Sequence, residues 1–277
     1  DFANGRNNNA SYNLIGGELN LGASGIQGNA AKQLNVGGAT IGAFADWTSS
    51  QATTLTGVNG NLTVNTLDSV DDTTARTVTW AGAMSGVGAL VKTGAGTLNL
   101  NALNSYTGNT VVNEGTLSLN VAGGATGTIR GSLTANTGTL VRFNAGDVTG
   151  YDATTRLHTI NLVGAEMNIA VITNQTLGRA AINMTGASIT GIAGSNLDFF
   201  NGDGTTNSRV NSLASATTST ISGTQLSIRQ TGGVTFNVED GTTSSGVDLQ
   251  VSSVIAINGL FLNQPLIKAG SGTLELA

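Results

Sequence analysis

The chain has 277 residues, a net charge of −5 at pH 7, only 10% charged residues, 40 Gly, one Pro and no Cys. Eleven Lys plus Arg against sixteen Asp plus Glu leave no basic surface for a phosphate backbone, which excludes nucleic acid as a partner, and a hydrophobic content of 39% excludes disorder. The lack of Cys removes disulfides, thiol catalysis and thiolate metal sites together, and no run approaches the roughly 18 apolar residues of a membrane span, so this segment is not expected to insert in a membrane.

Helix formers are scarce, while Gly, Asn, Ser and Thr, which favour turns over helix interiors, are abundant. What remains is short alternation of apolar and small polar residues. In chain order it runs through Leu98-Asn99-Leu100, Leu117-Ser118-Leu119, Ile160-Asn161-Leu162, Ile182-Asn183-Met184, Val234 to Val238, Val247 to Val251 and Leu274-Glu275-Leu276. A period of two over three to five residues predicts half-buried strands. Their rhythm fits either a sandwich of hairpins or a solenoid. Aromatics at 4% are few for a sandwich core, whereas a narrow solenoid interior takes Leu, Ile and Val and turns its corners with Gly and Asn. The prediction is therefore an all-β, right-handed parallel β-helix, with Asn and Thr of neighbouring coils pairing along the axis. At roughly 20–25 residues per coil and about 4.8 Å per step it would have about a dozen coils and a length of about 55–65 Å. The start at Asp1, with neither Met nor signal peptide, reads as one segment, 1–277, cut from a longer chain.

The segment 86–119 contains its own echo. Gly96-Thr97-Leu98-Asn99-Leu100 and Gly115-Thr116-Leu117-Ser118-Leu119 share a pattern 19 residues apart, about one coil. The sequence 266–276 repeats 90–100, matching Lys268 to Lys92, Gly270 to Gly94 and Gly272 to Gly96, and Leu274 and Leu276 to Leu98 and Leu100. Gly17-Glu18-Leu19-Asn20-Leu21 is a degenerate copy of the second half. These residues resemble the autotransporter-associated β-strand repeat, or passenger-associated transport repeat, of very large bacterial surface proteins. The resemblance is close over 86–119, partial over 266–277 and weaker over 12–85. It implies a β-helical passenger, secreted and displayed at the outer-membrane surface, and it implies no chemistry.

Within the motif, Gly94 and Gly96 are expected at the corner before a strand. Leu98 and Leu100 should point inward, with Thr97 and Asn99 facing out. Tyr106-Thr107-Gly108-Asn109-Thr110 is expected to form the next corner with the Tyr106 ring over the turn, and Lys92 to lie along the outer surface.

Catalytic motifs are sparse. No Gly-x-Ser-x-Gly elbow or phosphate loop occurs, and His158 is the only histidine, which excludes a two-His zinc site. No cofactor is expected. Polysaccharide cleavage is the enzymatic rival, because it needs facing carboxylates or an acidic cluster beside a base. The candidates are Asp198 and Asp203, which could also hold a weak calcium ion; Asp147 and Asp152 with Arg142 or Arg156; and Asp68, Asp71 and Asp72 near Arg76. Each Asp is also what a turn demands. Trp47 and Trp80 would stack on sugars or cover an end of the solenoid. The preferred expectation is a non-catalytic extracellular stalk or adhesin segment that meets surface glycans or a host receptor. A lyase, glycosidase or tailspike-like depolymerase is the alternative, and end-to-end association into a fibre the third reading.

Overall fold

A strand that buries every second side chain needs a neighbour on each edge, and a chain with Gly or Asn at each bend supplies that neighbour by turning back over its own previous coil. The computed structural model describes residues 10–28, 32–152, 154–201, 207–257 and 264–277, and it shows this arrangement as a three-faced parallel β-helix. One face has eleven strands, running from Glu18–Leu21 through Leu62–Asp68, Leu90–Thr93 and Thr110–Val112 to Leu266–Ala269. The second has ten, from Trp47–Ser49 through Thr97–Leu100 and Thr116–Leu119 to Leu274–Leu276. The third is split into two groups of four, ending at Met84–Gly86 and resuming at Asn174–Gly178. Every pairing between these strands is parallel, and the antiparallel contact among the described residues is the isolated bridge Leu67–Ala75.

The predicted spacing of the repeat holds, because Thr97 pairs with Thr116 and Leu98 with Leu117, directly above one another. The partial copy at the end keeps the same faces, with Leu266–Ala269 on the first and Leu274–Leu276 on the second. The early copy does not. Glu18–Leu21 lies on the first face, whereas Thr97–Leu100 and Thr116–Leu119 lie on the second, so the likeness over 17–21 is of local strand pattern alone.

Some coils keep the predicted length of roughly 20–25 residues and others are longer. Lys92 pairs with Val112, 20 residues on, but Val64 with Lys92, 28 on, and Val234 with Leu266, 32 on. The 28-residue coil holds the loop 69–75, pinned at its base by the bridge from Leu67 to Ala75. Eleven strands at about 4.8 Å make the longest face roughly 50 Å. The exposed area, 11127 Å², matches the about 11,000 Å² of a globular protein of this mass. At this length the solenoid is a short prism.

The interior is the expected aliphatic column. Leu98, Leu117, Val141, Met167 and Ile189 stack in register on the second face, all fully buried. Trp47 and Trp80 belong to this interior, edge to face with centroids 5.6 Å apart. The expected sugar platform or end cover is thereby corrected: at these positions of the strand alternation both rings point inward. Outside, carboxamide ladders climb the axis as predicted. Asn183 Nδ2 donates to Asn161 Oδ1 at 2.7 Å and Asn211 Nδ2 to Asn183 Oδ1 at 2.7 Å, and Asn144 Nδ2 donates to Asn120 Oδ1 at 2.7 Å.

Candidate functional site

The repeat is the part of the chain where sequence and structure concentrate unusual chemistry, and Lys92 is at its centre. Leu90–Thr93 alternates buried and half-buried residues, and Lys92 falls on the buried parity with Leu90. Its side chain is fully buried, which overturns the outer-surface placement. Its Nζ donates to Gly94 O at 2.6 Å, Thr66 Oγ1 at 2.7 Å, Thr93 O at 3.0 Å and Glu114 O at 3.0 Å. One ammonium thus ties its own corner to the coil below, through Thr66, and to the coil above, through Glu114. The Glu114 side chain returns the contact, since Oε2 accepts from Gly94 N at 2.8 Å. Corner carbonyls that turn away from the ladders need donors, and Lys92 supplies them.

Burial pushes the Lys92 ammonium down to about 7, with the Glu114 carboxylate opposing. An unfolded lysine titrates near about 10.4, so between these values the unfolded chain holds more protons than the folded one. The contribution of Lys92 to stability is therefore lowest below about pH 7 and rises with pH across that window. Tyr106 reverses the trend at higher pH, because burial pushes its phenol up, and the folded chain then keeps a proton that the unfolded chain loses above about 10. The urea midpoint is expected to climb from pH 7 towards about 10, and Lys92→Met should remove that climb. A flat wild-type profile would contradict it.

Gly94 adopts φ +78°, and Gly96 stands directly before Thr97–Leu100, so both occupy the predicted corner. Leu98, Leu100, Leu117 and Leu119 point inward and Thr97 and Asn99 outward, as expected. Tyr106 departs from expectation. The ring is inside the prism, fully buried, with its hydroxyl 2.6 Å from Thr110 Oγ1. The third face has no strand over 101–109, and Tyr106 with Asn104 fills the space that a strand's inward residues would occupy. Asn104 Oδ1 accepts from Met84 N at 2.9 Å, and Thr107 N still bonds Gly86 O at 2.9 Å. Gly108 allows the next bend, where a Cβ would lie 2.3 Å from Gly88 O.

The same motif at the last coil behaves differently. Lys268 Nζ bonds Ala269 O at 2.9 Å and Gly270 O at 2.7 Å, as Lys92 does with Thr93 and Gly94, but its strand is last on its face and the side chain is exposed. Gly270, at φ +77°, and Gly272 again turn the corner, and Leu274 and Leu276 are half-buried and exposed at the sheet edge.

The acidic candidates are dispersed among turns and ion pairs. Asp68 pairs with Arg76, whose Nε lies 2.7 Å away, and accepts from Val70 N at 2.8 Å. That amide, then the guanidinium, holds its carboxyl below the usual range. Asp71 is lowered by the Thr74 hydroxyl and by the Thr74 and Thr73 amides in an exposed turn. Asp152 likewise caps Thr154 N and Thr155 N at 2.8 and 2.6 Å, and the upward push of burial is outweighed by the Thr155 hydroxyl, then these amides and Arg156, so its carboxyl lies below the usual range. Arg142 is exposed on the second face, and Arg156 Nη1 bonds Asp152 O at 2.8 Å.

Asp198 is 1% exposed. Arg229 Nε donates to its Oδ2 at 2.8 Å while the guanidinium lies 4.4 Å over the Phe200 ring. Burial raises the Asp198 carboxyl, Arg229 opposes, and the Asp147 carboxylate adds to the rise. Asp203 lies outside the described residues, and among the described residues no group of three or more His, Asp or Glu could hold a metal. His158 is an extra residue in a bulge, because Gly131 pairs with Leu157 and Ser132 with Thr159. Burial, then Arg156, pushes its imidazole pKa down.

Sequence reasoning missed a set of buried corner amides. Gln51 Nε2 donates to Lys32 O at 2.7 Å, Gln175 Nε2 to Ala145 O at 2.6 Å, and Gln230 Nε2 to Gly233 O at 2.7 Å. Their partners lie on different coils or across a turn, so no local pattern marks them.

Residues 90–119 form two stacked coils, each with a strand on the first face and a strand on the second, and Thr66 of the coil below completes the clamp on Lys92. A family model described as passenger-associated-transport-repeat matches residues 90–119, which span these four strands from Leu90 to Leu119. Residues 90–119 are a passenger-associated-transport repeat. No curated protein and no solved structure matches the chain. The repeat implies a secreted, surface-displayed passenger, and its residues here serve stacking: inward leucines, glycine corners and one lysine that binds carbonyls.

Proposed function

We propose that the chain is a non-catalytic segment of an extracellular stalk or adhesin, part of a large autotransporter-like passenger displayed at a bacterial outer-membrane surface. The observation that supports this reading is that the passenger-associated-transport repeat at 90–119 is built into a parallel stack whose first and second faces run on above and below it. In such a stack each coil rests only on its neighbours, so length is extended by adding coils and stiffness comes from their contacts. The work of the segment is to hold distance and to present its outer faces to surface glycans or a host receptor.

The enzymatic alternative has weaker support. The Asp147 carboxylate adds to the rise of the Asp198 carboxyl, but Asp198 is 1% exposed and paired with Arg229, which gives a polysaccharide no access to it. Antibody raised against the folded chain is expected to label intact producing cells beyond the outer membrane. Incubation with acidic and neutral polysaccharides should yield no new reducing ends or unsaturated products. Label confined to the cell interior would overturn the display role, and turnover of any polymer would overturn its non-catalytic character.

A further inference from the structure

At the corner where the second face gives way to the third, four successive coils leave an open groove of about 480 Å³, within the range of small-ligand sites. Its wall is a row of carboxamides in register: Asn174 pairs with Asn196 and Asn196 with Gln225. Gly194 at φ +86° and Gly223 at φ +74° add no side chains of their own to that corner. We propose that this groove binds a short neutral oligosaccharide lying along the solenoid axis.

The hydrogen-bonding capacity of the row is only partly used within the protein. Asn196 Nδ2 donates to Asn174 Oδ1 at 2.9 Å, and Asn196 Oδ1 accepts from Ser227 Oγ at 2.8 Å. Gln225 Nε2 donates to Ser227 Oγ at 2.9 Å. Asn174 and Gln225 are both exposed, so the Asn174 amide remains as a donor and the Gln225 carbonyl oxygen as an acceptor at the two ends. A sugar hydroxyl donates and accepts at once and suits such a mixed row. Ser195, 1% exposed, also lines the groove, and its Oγ has no partner, like Ser253 Oγ two coils on.

Two further features select the ligand class. Among the described residues no ionisable side chain lines the groove, so a carboxylate or sulfate on the ligand would be desolvated without a counter-charge from them. Val254, 71% exposed, lines the groove, and Ile172, 68% exposed, stands against Gly194, so the C–H faces of sugar rings can rest on them. Asn174 and Gln225 are two coil steps apart, roughly 10 Å, which sets the ligand at a few sugar units.

The inference rests on the display reading above and supplies it with a ligand class. Its test is titration calorimetry of the whole chain with cellohexaose, maltohexaose and laminarihexaose, with polygalacturonate as the charged control. At least one neutral hexasaccharide is expected to bind with a Kd of about 1 mM or below. The exposed double variant Asn174→Ala/Gln225→Ala, checked by circular dichroism for an unchanged fold, should weaken that binding by about tenfold or more through two lost hydrogen bonds. Absence of binding by all three at about 20 mM, equal binding by the variant, or tighter binding of polygalacturonate would each overturn the proposal. The surface label on intact cells does not depend on the groove, so a failure here is distinct from a failure of the display role.

Discussion

Lys92→Met is expected to lower the free energy of unfolding by about 3 kcal/mol at neutral pH, read from urea denaturation. Methionine keeps the length and removes the donors. Thr93 O, Gly94 O and Glu114 O then lose the ammonium that binds them at 2.6 to 3.0 Å, and each under-satisfied carbonyl costs about 1–3 kcal/mol. Relief from burying a charge offsets part of this, which is why the expected loss is nearer one carbonyl's upper bound than the sum of three. Lys268→Met should change stability by about 0.5 kcal/mol or less, because the equivalent ammonium is exposed and water replaces it. Equal effects of the two substitutions would show that the clamp contributes nothing beyond the lysine itself.

Gly96→Ala is expected to cost about 4 kcal/mol or more, or to prevent folding. A Cβ at Gly96 would lie 2.0 Å from Arg76 O, 2.5 Å from Thr66 O and 2.6 Å from Arg76 N. All three are backbone atoms of the coil beneath, fixed by their own ladder, so no side chain can swing aside to make room. The coil above would have to lift, breaking register with Thr77–Trp80, where Thr97 pairs with Thr77. Gly16→Ala is the control: its Cβ would meet nothing within 4 Å, and the change should stay within about 0.5 kcal/mol. A Gly96→Ala protein with wild-type stability would mean that coil spacing at this corner is looser than the structure shows.

These two positions also separate what can be read locally from what cannot. Gly96 was legible, since its place before an alternating strand in both copies of a 19-residue repeat marks a corner. Lys92 was half legible. The alternation Leu90, Val91, Lys92 puts its side chain on the same side as Leu90, but lysine is so seldom buried that an outer position is the natural expectation. What reverses it is a set of acceptors contributed by residues 66 and 114, distant in sequence and adjacent only because the coils stack. The acidic clusters show the opposite case: Asp71 and Asp152 were legible as turn residues from their neighbours, and the structure places them in turns.

The amino-acid sequence determined the strand period, the glycine corners, the inward leucines of the repeat and the parallel solenoid, because each follows from interactions within a few residues or from a repeat that places like on like. Only the tertiary structure decided that Lys92 binds three carbonyls inside the prism and that Tyr106 and Asn104 stand in for a missing strand of the third face. It alone decided that Trp47 and Trp80 are core, and that Asn174, Asn196 and Gln225 share one groove. The physical reason is common to all of these. Stacking converts sequence separations that differ from coil to coil, 22 residues from Asn174 to Asn196 and 29 from Asn196 to Gln225, into the same step of about 4.8 Å, and loop lengths that leave no local signature set those separations.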